Sequence, residues 1–427
     1  MTASSGADAA IAEIGPAAPP ATSGADLFIM GQQYKSAGVP IPGGNIVDWL
    51  LSAAARALEG VALFDELCWR LLGQGIPLWR ANLSISVLHP QIMGVGFRWW
   101  RDEAVTQEFR VRHGMEKHSD YQDSPMRPAI ERGEPMRFRL DGSEPLDRYP
   151  LLGQFRKGGA TDYLAVPLLG TLVGRNRVVT FASDRPGGFT DAHIAAIEAV
   201  VPALALVVES KTMQRLSAGL LNLYLGRTIG RHILEGEVFR GNGRRLTAAL
   251  MATDLRAFTT LSDRLPGTEL IRLLDDYFDA VAAAVHAQGG EILKFVGDGV
   301  LAIFEMEQRS ERAAATAALA AAEDTLRRIE LVNENRHAVG QEHIRLGIGL
   351  HLGEVIYGNV GAVDRLDFTA IGPAVNLVCR LEALTKRLGR PLLMSETFAQ
   401  AVERPLYSLG LQPVRGLSEP QEVFALD

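Results

Sequence analysis

Cysteine is nearly absent from this 427-residue sequence, with only Cys68 and Cys379 present. That excludes a disulfide scaffold and a cysteine-rich zinc module, and it fits a protein of the reducing cytoplasm. Positive charge is not in excess either. There are 43 Lys and Arg against 50 Asp and Glu, for a net charge of -7. With no long basic run, neither a nucleic-acid surface nor a polybasic membrane patch is expected. Long apolar runs are also lacking. The most apolar stretch, residues 194–208, is short for a bilayer span and contains Glu198 and Pro202, so no membrane span is expected. Residues 1–26 have no basic segment followed by an apolar one, and they read as an Ala/Gly/Ser/Pro tail rather than a secretory signal. What remains is an ordinary globular composition, 47% hydrophobic, in a chain long enough for two or three domains.

After the tail, taken as residues 1–44, a helical stretch over 45–72 carries Ile46, Leu50, Leu51, Ala54, Leu58, Leu63, Leu67 and Leu71 at helical spacing. Segments LSISVLHP and GFRWW, within residues 79–112, read as strands. Residues 127–145 read as loop with one short strand, and YLAVPLL with RVVTFA reads as a strand pair. Thr190 and Asp191 then open a long helix, the acid sitting where the macrodipole favours it. This order, ending in YLAVPLL, VVTFASDRPGGFTDAHI and a closing helix, resembles a GAF domain, a small α/β sensor fold. The resemblance spans residues 45–208 and implies an unidentified small ligand, with Trp99, Trp100, His113 and His118 as candidates to line its pocket. Core tryptophans and solvated histidines are the plainer alternative. Residues 209–240 read as a helical connector whose stripe of Leu216, Leu220, Leu223, Ile229 and Ile233 wants a partner helix or a core; Gly226 and Gly230 interrupt it.

In the last part of the chain, residues 241–427, GGEILKFVGDGVLAIF is an apolar hairpin interrupted by Gly-Asp-Gly, which puts Asp298 at a tight turn between buried strands. A lone Asp-Gly is usually just a turn former. Here, LTAALMATDLRAF ends another apolar strand in a second acid, Asp254, and RLGIGLHLGEV supplies a third strand. Two acids at the ends of adjacent strands can share a hard divalent cation such as Mg²⁺. Helices interleaved with an antiparallel hairpin imply an α+β sandwich, expected to be covered on one face of its sheet.

TDLRAFTTLSDRL, GGEILKFVGDGVLAIF, GIGLHLGEVIYGNVG and FTAIGPAVNLVCRLEALT, in that order, resemble a class III nucleotidyl cyclase catalytic domain with its ferredoxin-like fold. The resemblance implies a homodimer with sites built across the interface, ATP as substrate, and two Mg²⁺ or Mn²⁺ ions per site. On this sequence it places metal ligation at Asp254, Asp298 and the backbone carbonyl of Leu255. It places substrate binding at Phe258, Thr259, Lys294 and Thr369, the last as in a bacterial threonine-type subgroup, with Lys294 reading the purine. It assigns ribose orientation to Asn376 and transition-state stabilisation to Arg380. Ala257 stands where the family frequently has glycine, Pro373 where an acid is often seen, and Lys386 and Arg390 are both candidates for the triphosphate tail.

These residue types suit attack of a ribose 3′ oxygen on an α-phosphorus. Shared carboxylates hold cations that neutralise the triphosphate and lower the hydroxyl pKa, and a guanidinium meets the developing charge with fixed donors. A catalytically silent nucleotide-sensing or scaffolding module of the same fold is the alternative, separable by assay of cyclic nucleotide formation.

Overall fold

The computed structural model describes residues 27–142, 146, 148–170, 177–236, 243–305, 309–362 and 366–426, apart from the side chains of 227–229. They fall into two compact units, Met1–Leu220 and Leu221–Asp427.

In the first unit, strands β1 (Phe28–Lys35), β2 (Arg80–Ser86), β3 (Ile92–Trp100), β4 (Val105–Arg112), β5 (Met136–Arg139), β6 (Asp162–Pro167) and β7 (Arg177–Ser183) form one sheet in the order β1-β4-β3-β2-β7-β6-β5. All of these pairs are antiparallel. Strand β2 alternates cleanly. Ala81, Leu83 and Ile85 are buried, while Asn82 and Ser84 face the other way. The buried face packs on helices α1 (Ile46–Leu51), α2 (Ala53–Ala57), α3 (Gly60–Gly73) and α7 (Asp191–Leu225). On the opposite face, α5 (Met126–Arg132) and α6 (Pro150–Lys157) cover β5, β6 and β7; the short α4 (Ser119–Gln122) precedes them.

Three expectations change here. The single helical stretch over 45–72 is three helices, because Ser52 adopts an extended conformation and its side chain caps α2 by accepting from the Ala55 N–H. Residues 28–35, expected in the tail, form the edge strand β1, pinned to β4 by backbone pairing and by Phe28 against Phe109 at 5.8 Å. Helix α7 runs on through residue 225, and by length and composition it is the one helix among the described residues that can cross a bilayer. Its Ile197, Val200, Leu204, Val207 and Val208 are nevertheless buried in the core of this unit.

In the second unit, α8 (Arg227–Leu234) follows Gly226, whose φ of +87° breaks the helix. A βαββαβ core follows: β8 (Gly243–Leu255), α9 (Phe258–Arg264) and α10 (Gly267–Ala287), the hairpin β9 (Glu291–Val296) and β10 (Gly299–Glu305), α11 (Glu311–Ala338), and β11 (Leu346–Gly361). Strand order β11-β8-β10-β9 is that of a ferredoxin-like sheet. It is extended past β11 by β13 (Leu392–Ser395), β15 (Gln421–Ala425) and β14 (Tyr407–Gln412), while β12 (Leu366–Ile371) also pairs β11.

The sheet is covered on both faces, not one. Ala249 and Met251 join a core with α10, α11 and α13 (Glu396–Ala401), while Ala248, Leu250 and Ala252 join a second core with α12 (Pro373–Leu388) and Ile233 of α8. Strand β8 shows no polar alternation because both its faces are dry. Of the connector stripe, Ile233 is half-buried against this second core, Leu216 and Leu220 are half-buried, Leu223 is exposed, and the Ile229 side chain lies outside the described residues.

Helix α12 lies hard against β11 because two strand residues have no side chain. A Cβ on Gly349 would sit 2.5 Å from the Val378 carbonyl oxygen and 2.6 Å from the Glu382 backbone nitrogen. Backbone cannot step aside as a side-chain tip can. Gly349→Ala is therefore expected to destabilise the chain by about 1–3 kcal/mol or more, read as a lower denaturant midpoint; an unchanged midpoint would show that α12 is loosely held.

Candidate active site

Strand β8 delivers Asp254 to the end of the sheet, opposite Gly347 of β11, and the β9–β10 turn delivers Asp298 beside it. The turn is built by its glycines. Gly297 takes φ +63°, and a side chain at Gly299 would come within 3.2 Å of Asp254 Oδ1. The two carboxyl groups are in hydrogen-bond contact. Burial, followed by the charge of Asp298, pushes the Asp254 carboxyl up to about 6, against a smaller opposing effect from the Leu255 N–H and Arg256.

Three residues absent from the sequence-based assignment complete this corner. Glu382 of α12 is pushed up to about 7 by burial and then by the charge of Asp254, with Arg256 acting in the other direction. Arg256 donates from Nη2 to Thr385 Oγ1 at 2.6 Å. A Cβ on Gly347 would meet Thr385 Oγ1 at 2.2 Å and Glu382 Oε1 at 2.5 Å, so this glycine is what admits the helix side chains. The signal available in the sequence was the spacing alone: Glu382 lies two residues past Arg380, and Arg256 two past Asp254.

Among the described residues no group of three or more His, Cys, Asp or Glu side chains is arranged around a metal position. The acid pair itself fits a hard divalent cation. Two carboxylates in contact with one of them held partly protonated are an oxygen donor set short of positive charge, and the cation's other ligands would be backbone oxygen, water and phosphate. Leu255, whose carbonyl was assigned to the metal, is the last residue of β8 and its side chain is core.

Ala257 stands at φ +59°, one of two non-glycine residues in the left-handed region among the described residues, and starts α9. The backbone geometry that glycine adopts freely is thus kept by alanine at a cost of about 1–2 kcal/mol. Phe258 is half-buried against the core and Thr259 is exposed, with its carbonyl accepting from Ser262 Oγ at 2.8 Å.

Lys294 of β9 lies 3.7 Å from Asp367 Oδ2 of β12, an ion pair between half-exposed and exposed groups. Thr369, two residues along the same strand, is 4% exposed and its hydroxyl has no hydrogen-bond partner. An orphaned buried hydroxyl two residues from the aspartate that pairs with Lys294 can take a polar partner from outside the chain.

Asn376 and Arg380 do not join the acid pair. Helix α12 buries Ala374, Val378, Leu381, Leu384 and Thr385. At about 100° per residue, Arg380 points roughly 160° away from Glu382 and Asn376 roughly 120° away. Asn376 is exposed, and Arg380 lies instead beside Gly416, where a Cβ would be 3.1 Å from its Nη2. Lys386 and Arg390 are both exposed, and nothing in their surroundings distinguishes them.

Residues 244–410 match the sequence model of the adenylate and guanylate cyclase catalytic domain. This segment belongs to that family. An adenylate cyclase of Anabaena cylindrica is 31% identical over 199 residues, covering 46% of this chain and 38% of that protein. Adenylate cyclase 1 of Rhizobium meliloti is 32% identical over 208 residues, covering 47% of this chain and 31% of that protein. The match thus spans about a third of each relative's length. Among solved structures, the adenylyl cyclase CyaB from P. aeruginosa is 27% identical at a TM-score of 0.40, covering 43% of this chain and 94% of that one. The guanylyl cyclase Cya2 is 28% identical at 0.39, covering 43% and 92%.

In the N-terminal unit the four aromatic candidates do not gather round a pocket. Trp99 is fully buried and meets Trp69 edge-on at 5.1 Å, Trp100 lies under the Arg80 guanidinium, His113 Nε2 contacts the His89 carbonyl, and His118 caps α4. Strand alternation turns Trp99 to the core.

The acid pair of the cyclase domain makes a prediction about stability. Because the folded protein holds Asp254 more tightly protonated than an unfolded chain would, its ionisation near neutral pH works against folding, and the penalty fades as pH falls through about 6. Asp254→Asn is expected to raise the melting temperature at pH 7.5 without divalent cation, by about 2–4 °C per kcal/mol for a unit of this size. The difference should shrink at pH 4.5. A variant that melts lower at pH 7.5 would contradict the repulsion.

Proposed function

We propose that this chain is an adenylate cyclase that converts ATP to 3′,5′-cyclic AMP and pyrophosphate in a homodimer, with residues 241–427 catalytic and the N-terminal GAF-like unit, residues 45–208, regulating it through the connector 209–240. The observation that carries the reading is the division of residues on α12. Glu382 and Thr385 turn inward toward Asp254, while Asn376 and Arg380 turn outward, where a second chain can meet them.

Asp254, Asp298 and the Leu255 carbonyl would hold two Mg²⁺ or Mn²⁺ ions, which when bound supply charge neutralisation of the triphosphate and acidification of the 3′ hydroxyl. The protein's own groups do the rest. Asn376 orients the ribose, and Arg380 of the partner presents fixed N–H donors to the charge that builds on the α-phosphoryl oxygens. Arg256, anchored by Thr385, tempers the negative charge of the corner when no nucleotide is present. Phe258 turns its ring against the core, which leaves its backbone and the exposed Thr259 for the substrate.

Adenine is favoured over guanine by donor and acceptor matching. Lys294 can only donate, which suits the acceptor N1 of adenine and opposes the N1–H of guanine. The orphaned Thr369 hydroxyl can accept from the adenine amino group. Asp367 occupies Lys294 in the absence of nucleotide, so binding exchanges one weak, exposed ion pair for a base contact. Both thiols are free, which fits the reducing cytoplasm where ATP is found.

The test is complementation. Asp254→Ala and Arg380→Ala homodimers should each be inactive, and their mixture should recover roughly a quarter of wild-type activity, since half the dimers are mixed and each has one intact site. A mixture as inactive as its parents, after subunit exchange is verified with tagged chains, would place the whole site in a single chain.

A further inference from the structure

Between the polar face of the N-terminal sheet and the segment running from Met115 through α5 lies a cavity of about 140 Å³. Its walls are mostly apolar, with Phe28, Phe109, Met115, Met126 and Tyr121 among them. Ser84 and Ser124 add hydroxyls. Arg98 of β3 reaches this cavity because it alternates with the core residues Phe97 and Trp99. Its guanidinium lies over Phe109 at 4.2 Å and over Phe28 at 5.1 Å.

Stacking uses the faces of the guanidinium and leaves its N–H edge free. Among the described residues no carboxylate is within ion-pair distance of Arg98 and no acceptor takes its N–H groups. Burial, then the like charge of Arg80, lowers the guanidinium pKa to about 10, the direction expected of a cation with no anion to compensate it. The one acid in the cavity wall, Asp120, is largely exposed to solvent, and its backbone N–H donates to His118 Nδ1 at 3.2 Å. A cation in an apolar slot without a counter-ion is costly unless an anion arrives from outside.

From this geometry we propose that the cavity binds a small aromatic monocarboxylate, whose carboxylate takes the free N–H edge of Arg98 and whose ring lies among the phenylalanine and methionine side chains. The size matches a single ring, since an apolar cavity of ~150 Å³ holds benzene. A multiply charged phosphate is disfavoured by the apolar walls and the lack of a second unpaired cation in them. The site stands on the N-terminal unit alone and is independent of the cyclase reading.

The experiment is calorimetric titration of the full chain with benzoate, benzamide, benzylamine and inorganic phosphate. Benzoate should saturate one site per chain, and the neutral isostere benzamide should bind at least tenfold more weakly. Arg98→Gln should abolish the benzoate signal. Ser84→Leu, which fills the cavity and leaves the cation in place, should abolish it too, each variant being checked by its melting curve. If Arg98→Gln does not fold, the benzoate-to-benzamide ratio and Ser84→Leu decide the matter. The proposal is overturned if benzoate shows no saturable binding, if benzamide or phosphate binds as tightly, or if folded Arg98→Gln binds benzoate unchanged.

Discussion

Two carboxylates, Asp254 and Asp298, are kept in contact at the end of a dry sheet, and much of the C-terminal unit can be understood from what that contact requires. Like charges this close repel, so the fold must hold them by other means. Burial of β8 on both faces fixes Asp254, and a glycine-flanked turn with no room for a side chain at Gly299 fixes Asp298. The repulsion is left standing in the free protein, as the raised Asp254 carboxyl records. A divalent cation held between them, as proposed, would relieve it and stabilise the fold.

The same corner explains why β11 carries glycines at alternate positions. Gly347 and Gly349 let α12 approach until Glu382 and Thr385 reach the acid pair and Arg256. One helix then divides two sets of groups. Its inner side brings Glu382 up to the acids and, through Thr385, anchors Arg256 beside them, and its outer side carries Asn376 and Arg380 away from them. In the proposed homodimer a second chain would bring both sets to one substrate.

Much of this was legible in the sequence, and the gaps have physical causes. The hairpin that carries Asp298 was legible because Gly-Asp-Gly between two apolar runs leaves room only for a turn, and β9 ends at Val296 where β10 begins at Gly299. Glu382, Arg256 and Thr385 were not legible as site residues, since nothing local marks them and their role depends on how closely α12 is pressed to β11. Covering of the sheet on both faces was hidden by LTAALMA, whose alanines and threonine look polar-neutral yet are small enough for a helix to lie on either side. In the N-terminal unit, β1 was missed because FIMGQQYK is a mostly exposed edge strand with little apolar alternation. The pocket was sought at Trp99 and Trp100, whereas pleating put Trp99 in the core and the neighbouring Arg98 in the cavity. A one-residue shift along a strand exchanges faces, so composition without register could not place it.

On the proposed reading this carboxylate corner, completed by a second chain, cyclises ATP. The most direct measurement is kcat/KM of the full chain for ATP and for GTP, with and without Mn²⁺. Donor and acceptor matching at Lys294 and Thr369 predicts cyclic AMP formation that depends on the cation, with a preference over GTP of about tenfold to hundredfold, the range that a mismatched buried donor pair supports. No cyclic nucleotide from either substrate with Mn²⁺ would contradict the enzyme, and an equal or reversed ratio would contradict the adenine assignment.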